Sequence, residues 1–126
     1  MAKLTTEERE RYDRQIMIAE IGEAGQKKLK QARVFIAGAG GLGSPIATYL
    51  AAAGMGTIRI VDHDHVDMSN LNRQILHWNN NIGDRKVDSA RAKLAGLNPS
   101  VVIETLDETI ADLQTIKEAL YGPDVN

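Results

Sequence analysis

The run Val34-Phe35-Ile36-Ala37-Gly38-Ala39-Gly40-Gly41-Leu42-Gly43-Ser44 joins a short apolar segment to a glycine-rich turn. Val34 to Ala37, bounded by glycine, reads as a buried strand. Gly38 to Gly43 matches G-x-G-x-x-G, and Ser44 to Ala53 is small, apolar and helix-forming until Gly54 ends it. In this pattern Gly38 allows the tight turn. Gly40 lets backbone approach phosphate oxygens, and Gly43 permits close packing of helix on sheet. Free N–H groups and the positive end of the helix dipole then favour an anion. Thr57 to Val61 is β-branched and reads as a second strand. Asp62, nineteen residues after Gly43, stands at its end, placed to accept ribose hydroxyls. These features agree on a nucleotide site, and by themselves they fit NAD, FAD or ATP.

Outward from this unit, strands and helices alternate. Thr5 and Glu8 fit a capping box at the start of a helix over Glu7 to Ile18. Gly22 and Gly25 interrupt it, and a second short helix runs to about Ala32. His63 to Asn81 is polar and irregular, with a turn of helix near Leu71 to Leu76. Asp84 to Leu97 is an amphipathic helix with Val87, Ala90, Leu94 and Leu97 on its core face. Val101 to Ile103 starts a third strand, and Thr109 to Leu120 is helical until Gly122-Pro123. Such alternation implies parallel strands with right-handed crossovers. The fold class expected is α/β, the N-terminal half of a Rossmann-like doubly wound sheet preceded by helices. A helical arm spans 1–32 and the nucleotide domain 33–126, with a fourth strand due where the chain ends. The strand Val34 to Ala37 then keeps one bare edge.

Composition narrows the function. Among 126 residues there is no cysteine, which excludes disulfides, thiolate metal sites and cysteine nucleophiles. No apolar run reaches the ~18 residues of a membrane span, and the charged N-terminus is unlike a secretory signal. A cytoplasmic protein is expected. Met1 to Arg33 carries eight basic and six acidic residues, Val34 to Leu97 six and five, and Asn98 to Asn126 one and six. The acidic tail argues against nucleic-acid and membrane surfaces, while basic groups elsewhere can still converge on a small anion.

Asn70, Arg73 and Gln74 lie within about one helical turn and project donors toward one place. Lys86 adds a point charge at the start of the next helix, where the helix dipole disfavours it. Arg14 adds another on the first helix. His63 and His65 alternate with Asp62 and Asp64. In an extended stretch the histidines share one side and the carboxylates the other, so the four do not converge on a metal, and no metal site is expected. His77 and Trp78 read as anchors of the loop.

Five stretches carry a resemblance in order: Arg11-Tyr12-Asp13-Arg14-Gln15-Ile16, Gly38 to Ser44, Asp62-His63-Asp64, Ser69-Asn70-Leu71-Asn72-Arg73-Gln74, and Gly83-Asp84-Arg85-Lys86-Val87. From Arg11 to about Pro99 the chain resembles the N-terminal part of the ubiquitin-activating-enzyme-like adenylyltransferases, the ThiF/MoeB/HesA group. The resemblance implies that the C-terminal glycine carboxylate of a ubiquitin-fold sulfur carrier, of the ThiS/MoaD type, attacks the α-phosphate of ATP. Acyl-adenylate and pyrophosphate result, as in thiamine or molybdenum-cofactor sulfur transfer.

The same resemblance implies nucleotide contacts from Gly38, Gly40, Gly41, Gly43, Asp62, Ser69, Asn70, Leu71, Arg73, Gln74 and Lys86. Gly41 meets phosphate and Asp62 the ribose, while Asn70, Arg73 and Lys86 hold the triphosphate. Catalytic roles fall to Arg14, Arg73 and Lys86, with Arg14 reaching across a homodimer to the partner's ATP. The group's magnesium-binding Asp, in an Asp-Cys-x-Asp-Asn stretch, is due beyond Asn126, and Thr115 to Asn126 matches the group poorly. The expectation is therefore a truncated or split adenylation domain. Its rivals are a nucleotide- or carrier-binding module without chemistry and a dinucleotide-dependent oxidoreductase. Against the latter stand Asn70, Arg73 and Lys86.

Overall fold

A computed structural model of the chain describes residues 3–110 and 113–121. Two short helices, α1 (Thr6–Arg11) and α2 (Asp13–Ile16), precede α3 (Gly22–Gln31). Then follow β1 (Arg33–Ala37), α4 (Gly43–Ala53), β2 (Thr57–Val61), α5 (Lys86–Leu97), β3 (Val102–Leu106) and α6 (Leu113–Tyr121). The Thr5 capping box forms as expected, with Glu8 N donating to Thr5 Oγ1 and Thr5 N to Glu8 Oε1, each at 3.0 Å.

The expected single helix over Glu7 to Ile18 is broken at Tyr12. That residue leaves helical geometry (φ −102°, ψ 14°) and is buried. Its hydroxyl accepts a hydrogen bond from Asn98 Nδ2 at 2.7 Å, and Asn98 also donates to Ala51 O at 2.8 Å. Beside this pair, Gln15 and the fully buried Gln26 both donate to Ala53 O, at 3.0 and 2.9 Å. Buried amides satisfied in this way fasten the N-terminal helices to the end of α4.

The sheet is parallel in the order β1-β2-β3, with Ile36 opposite Ile60 and Ile58 opposite both Val34 and Ile103. One face packs Ile36, Ile58 and Ile60 against Ala47 and Ala51 of α4 and Val87, Ala90 and Leu94 of α5. The alanines let α4 approach the sheet closely. Among the described residues β1 pairs only with β2, so its other edge is bare. No helix among the described residues is long and apolar enough to cross a membrane.

Some details differ from expectation. Leu97 does not join the core: it is 41% exposed, because α5 ends there and the buried Asn98 turns the chain away. The helical turns of the β2–α5 connection fall at Met68–Asn70 and Asn79–Asn81 rather than at Leu71 to Leu76. The first of these is set by a reciprocal cap in which Asp67 N donates to Asn70 Oδ1 at 2.9 Å. Thr109 lies ahead of α6, and the expected stop at Gly122-Pro123 lies outside the described residues.

Candidate nucleotide site

Parallel strands put their C-terminal ends on one side, and there the turn after β1 meets Asp62 after β2. Gly38 adopts φ +102°, a left-handed conformation that glycine tolerates, and turns the chain out of β1. A Cβ at Gly43 would overlap Gly38 O, so only glycine lets α4 start this close to the strand. The N–H of Ala39 donates to Asp62 Oδ2 at 2.8 Å, and Asp64 N donates to Asp62 Oδ1 at 2.8 Å. Both carboxylate oxygens are thereby oriented, each with lone pairs to spare for a hydroxyl. Among the described residues, no acceptor takes the N–H of Gly40, Gly41 or Leu42. The 11-residue α4 begins immediately after them with no acidic residue in its first turn. These are the donors and the dipole end that an anion requires.

Two side chains from the β2–α5 connection lie on the turn. Arg73 sets its stem beside Gly41, its Cγ and Cδ 3.8 Å from where a Cβ on that glycine would stand. Arg73 Nη1 donates to Ser69 O and Asn72 Oδ1, both at 3.0 Å, and the side chain is exposed. Gln74 turns inward against Gly40 and is buried, and its Oε1 has no hydrogen-bond partner. The amide Nε2, rather than Oε1, is the Gln74 atom nearest Gly40, 3.6 Å from where a Cβ on that glycine would stand. Asn70 spends its Oδ1 on the local cap, and Ser69 and Leu71 flank it. Asn70, Arg73 and Gln74 therefore do not present equivalent donors: Arg73 and Gln74 reach the turn from opposite exposures, and Asn70 shapes the loop between.

Lys86 opens α5 with its stem buried and its Nζ 3.7 Å from Asp64 Oδ2. Its N–H donates to Asp64 O at 3.0 Å, which ties α5 to the chain leaving β2. A cleft of about 300 Å³ runs along this side, lined by Gly38, Asp62, His63, Asp64 and Thr109 among others. Its size is at the lower end for a small-molecule site. Arg14 is not brought to the turn. Its side chain is 88% exposed, and its guanidinium meets only Asp13 and Met17 among the described residues.

The alternation expected after β2 holds in part. The Asx turn at Asp62 bends the chain, so ligand atoms of Asp62, His63 and Asp64 lie within 4.8 Å of one another, and His63 Nε2 is 3.1 Å from Asp64 Oδ1. His65 stays apart, bridged to Arg85. His77 is an anchor as expected, and a more specific one than the sequence shows. The buried ring joins Ala39 O, 2.7 Å from Nε2, to Ser89 Oγ, 2.9 Å from Nδ1. A histidine between Leu76 and Trp78 carries no spacing signal for that contact across the fold. Trp78 is exposed, with Lys93 Nζ 4.1 Å from its ring centre.

A strand, a glycine turn with open amides and a pinned carboxylate make up a parallel α/β module with a candidate nucleotide site. The chain belongs to the ThiF family, whose model matches residues 12–125, well past the Pro99 at which the sequence resemblance fades. It is 50% identical over 105 residues to the adenylyltransferase and sulfurtransferase MOCS3 of Culex quinquefasciatus, covering 83% of this chain and 24% of that protein. It is 43% identical over 116 residues to the SAMP-activating enzyme E1 of Haloferax volcanii, covering 92% of this chain and 43% of the relative. The fold is similar to that of the E. coli tRNA N6-threonylcarbamoyladenosine dehydratase TcdA in complex with ATP, with a TM-score of 0.82 and 27% identity, covering 87% of this chain and 44% of that one. The chain thus spans between about a quarter and under half of these proteins' lengths.

Proposed function

We propose that this chain supplies the ATP-holding half of an adenylyltransferase site that activates the C-terminal glycine carboxylate of a ubiquitin-fold sulfur carrier. The observation that carries this is the set of N–H groups at Gly40, Gly41 and Leu42 that no described residue accepts, flanked by Arg73 and backed by the oriented Asp62. In the reaction a carboxylate oxygen attacks the α-phosphorus of ATP, the bond to pyrophosphate breaks, and the acyl group leaves joined to AMP. A carboxylate is already a nucleophile, so the chain needs no cysteine or general base for this step. It needs positioning and neutralisation of phosphate charge. The open amides and Arg73 hold phosphate oxygens, Lys86 brings a positive charge, Asp62 takes the ribose, and Gln74 packs beneath Gly40.

Arg14, exposed and in contact only with Asp13 and Met17 among the described residues, is assigned to the ATP of a second copy in a homodimer. Magnesium accompanies ATP; Asp62 is assigned here to the ribose, and Asp64 stands between His63 and Lys86, so neither is assigned to the ion. No step here passes through it. The chemistry belongs to thiamine or molybdenum-cofactor sulfur transfer in the cytoplasm. The names of the mosquito and archaeal relatives and the ATP complex of TcdA support this reading. Isotope exchange between pyrophosphate and ATP tests it. Exchange that requires a carrier with a free C-terminal glycine carboxylate, and stops when that terminus is amidated, is the expected result. ATP binding with no exchange on any such carrier would leave a nucleotide-binding module without chemistry.

A further inference from the structure

The contact between His77 and Ala39 fixes more than a loop. A carbonyl oxygen only accepts, so at 2.7 Å the hydrogen is on His77 Nε2. In the neutral ring Nδ1 then accepts, and Ser89 Oγ is 2.9 Å away to donate to it. Leu76 O also lies 3.3 Å from Ser89 Oγ, a longer contact than the 2.9 Å to Nδ1, and the serine hydrogen goes to the nearer ring nitrogen. Burial pushes the imidazole below its usual 6.5, against the pull of the Ala39 bond, with Lys86 and Lys93 adding repulsion and Asp62 opposing it. The neutral Nε2–H form fits on every count.

Ala39 is held on both sides. Its N–H goes to Asp62, and its carbonyl takes His77 Nε2 and, at 3.3 Å, Ser44 Oγ. That carbonyl shares a planar trans peptide with the N–H of Gly40, and the two point in opposite directions. With the carbonyl drawn inward to His77, the Gly40 N–H faces out. Glycine at position 40 makes rotation of this peptide cheap unless something pins it. A rotated peptide would present a carbonyl, the wrong end of its dipole, to an anion.

We infer that His77 is a positioning residue for the nucleotide: it locks the Ala39–Gly40 peptide so that the Gly40 N–H, and with it the open amide row, faces phosphate. This rests on the ATP reading above and adds a residue to it. Substitution separates the donor from the ring. His77→Gln places an amide Nε2–H where the imidazole Nε2–H stood, whereas His77→Phe keeps the ring volume and removes the donor.

Three readouts on the 126-residue chain decide the matter. Long-range 1H–15N correlation on the unsubstituted chain at pH 7 is expected to show the neutral Nε2–H tautomer, and the Nδ1–H tautomer or a charged ring would overturn the inference. Amide exchange at Ala39, whose N–H is held by Asp62 beside the locked peptide, is expected to rise about tenfold or more in His77→Phe beyond any change at Ile58 and Leu94, and to stay near normal in His77→Gln. ATP affinity is expected to fall about 10- to 100-fold in His77→Phe, the range for a lost hydrogen bond to a charged group, and to be largely restored in His77→Gln. Equal behaviour of the two variants in exchange and affinity would refute the positioning role. If His77→Phe does not fold, the tautomer and the His77→Gln data still decide. An unsubstituted chain with the expected tautomer and a protected Ala39 amide but no ATP binding would refute the nucleotide reading instead.

Discussion

The N–H of Ala39 donates to Asp62 Oδ2 at 2.8 Å, so the turn offered to phosphate and the acid offered to ribose form one hydrogen-bonded unit. The unit also fixes Asp62 through Asp64 N. Asp62→Asn keeps the shape but sets an NH2 group against one of the two amides. It is expected to lower stability by about 1–3 kcal/mol in urea unfolding and to weaken ATP binding about tenfold or more. Unchanged affinity in a folded variant would remove Asp62 from the site.

Gly43 and Gly96 make a matched pair. At Gly43 a methyl group would overlap Gly38 O, and the backbone has nowhere to yield without pulling α4 off β1. Gly43→Ala is expected to cost at least about 2 kcal/mol, read from the urea midpoint. At Gly96, inside α5, nothing stands within 4 Å of a new Cβ. Gly96→Ala should stabilise by about 0.5–1 kcal/mol, because alanine loses less chain entropy on entering a helix.

Lys86 buries its stem and holds a charge near Asp64. Lys86→Met keeps the apolar part and deletes the charge. The fold should survive with a loss of about 1 kcal/mol, since methionine fills the buried stem's space and the lost partner, Asp64, stays solvated. ATP affinity should drop about tenfold or more and AMP affinity clearly less, if the ammonium acts on the outer phosphates. Equal losses for ATP and AMP in calorimetric titrations would move Lys86 away from them.

Glu8 gives a pH test of the N-terminal anchoring. Burial raises its carboxyl, but the hydrogen bond from Lys30 and those from Thr5 outweigh burial, and the group ends below its usual 4.5. A lowered folded-state value adds stability above the ordinary carboxylate range, and that stability disappears as pH falls through the lowered value. Glu8→Gln keeps the Thr5 cap and loses the Lys30 pair at 2.7 Å. It should cost about 1–2 kcal/mol at pH 7 and progressively less below pH 4.5, measured by thermal melts across pH.

How far the sequence reached depends on how local the physics is. The strand at Val34, the turn at Gly38 to Gly43, the cap at Thr5 and the strand ending at Val61 all follow from neighbours in the chain. So does the parallel sheet they imply, with β1 at its edge. Tyr12 splits its helix because of Asn98, a partner 86 residues away that no periodicity announces. Leu97 has the spacing of a core residue but sits where α5 has run out of sheet. Within the site, Arg73 and Gln74 read in the sequence as donors aimed at one place, yet one is exposed and the other buried, a difference their spacing does not carry. His63 meets Asp64 because the Asx turn bends a stretch read as extended. His77 grips Ala39 across 38 residues, a contact only the folded chain displays.

The most direct test of the central claim is titration of the 15N-labelled chain with ATP and, in parallel, with NAD. ATP should shift the amides of Gly40, Gly41 and Leu42 in a saturable way that Asp62→Asn weakens, and NAD should leave them in place. Shifts caused by NAD and not by ATP, or a folded chain whose turn amides respond to neither, would contradict it.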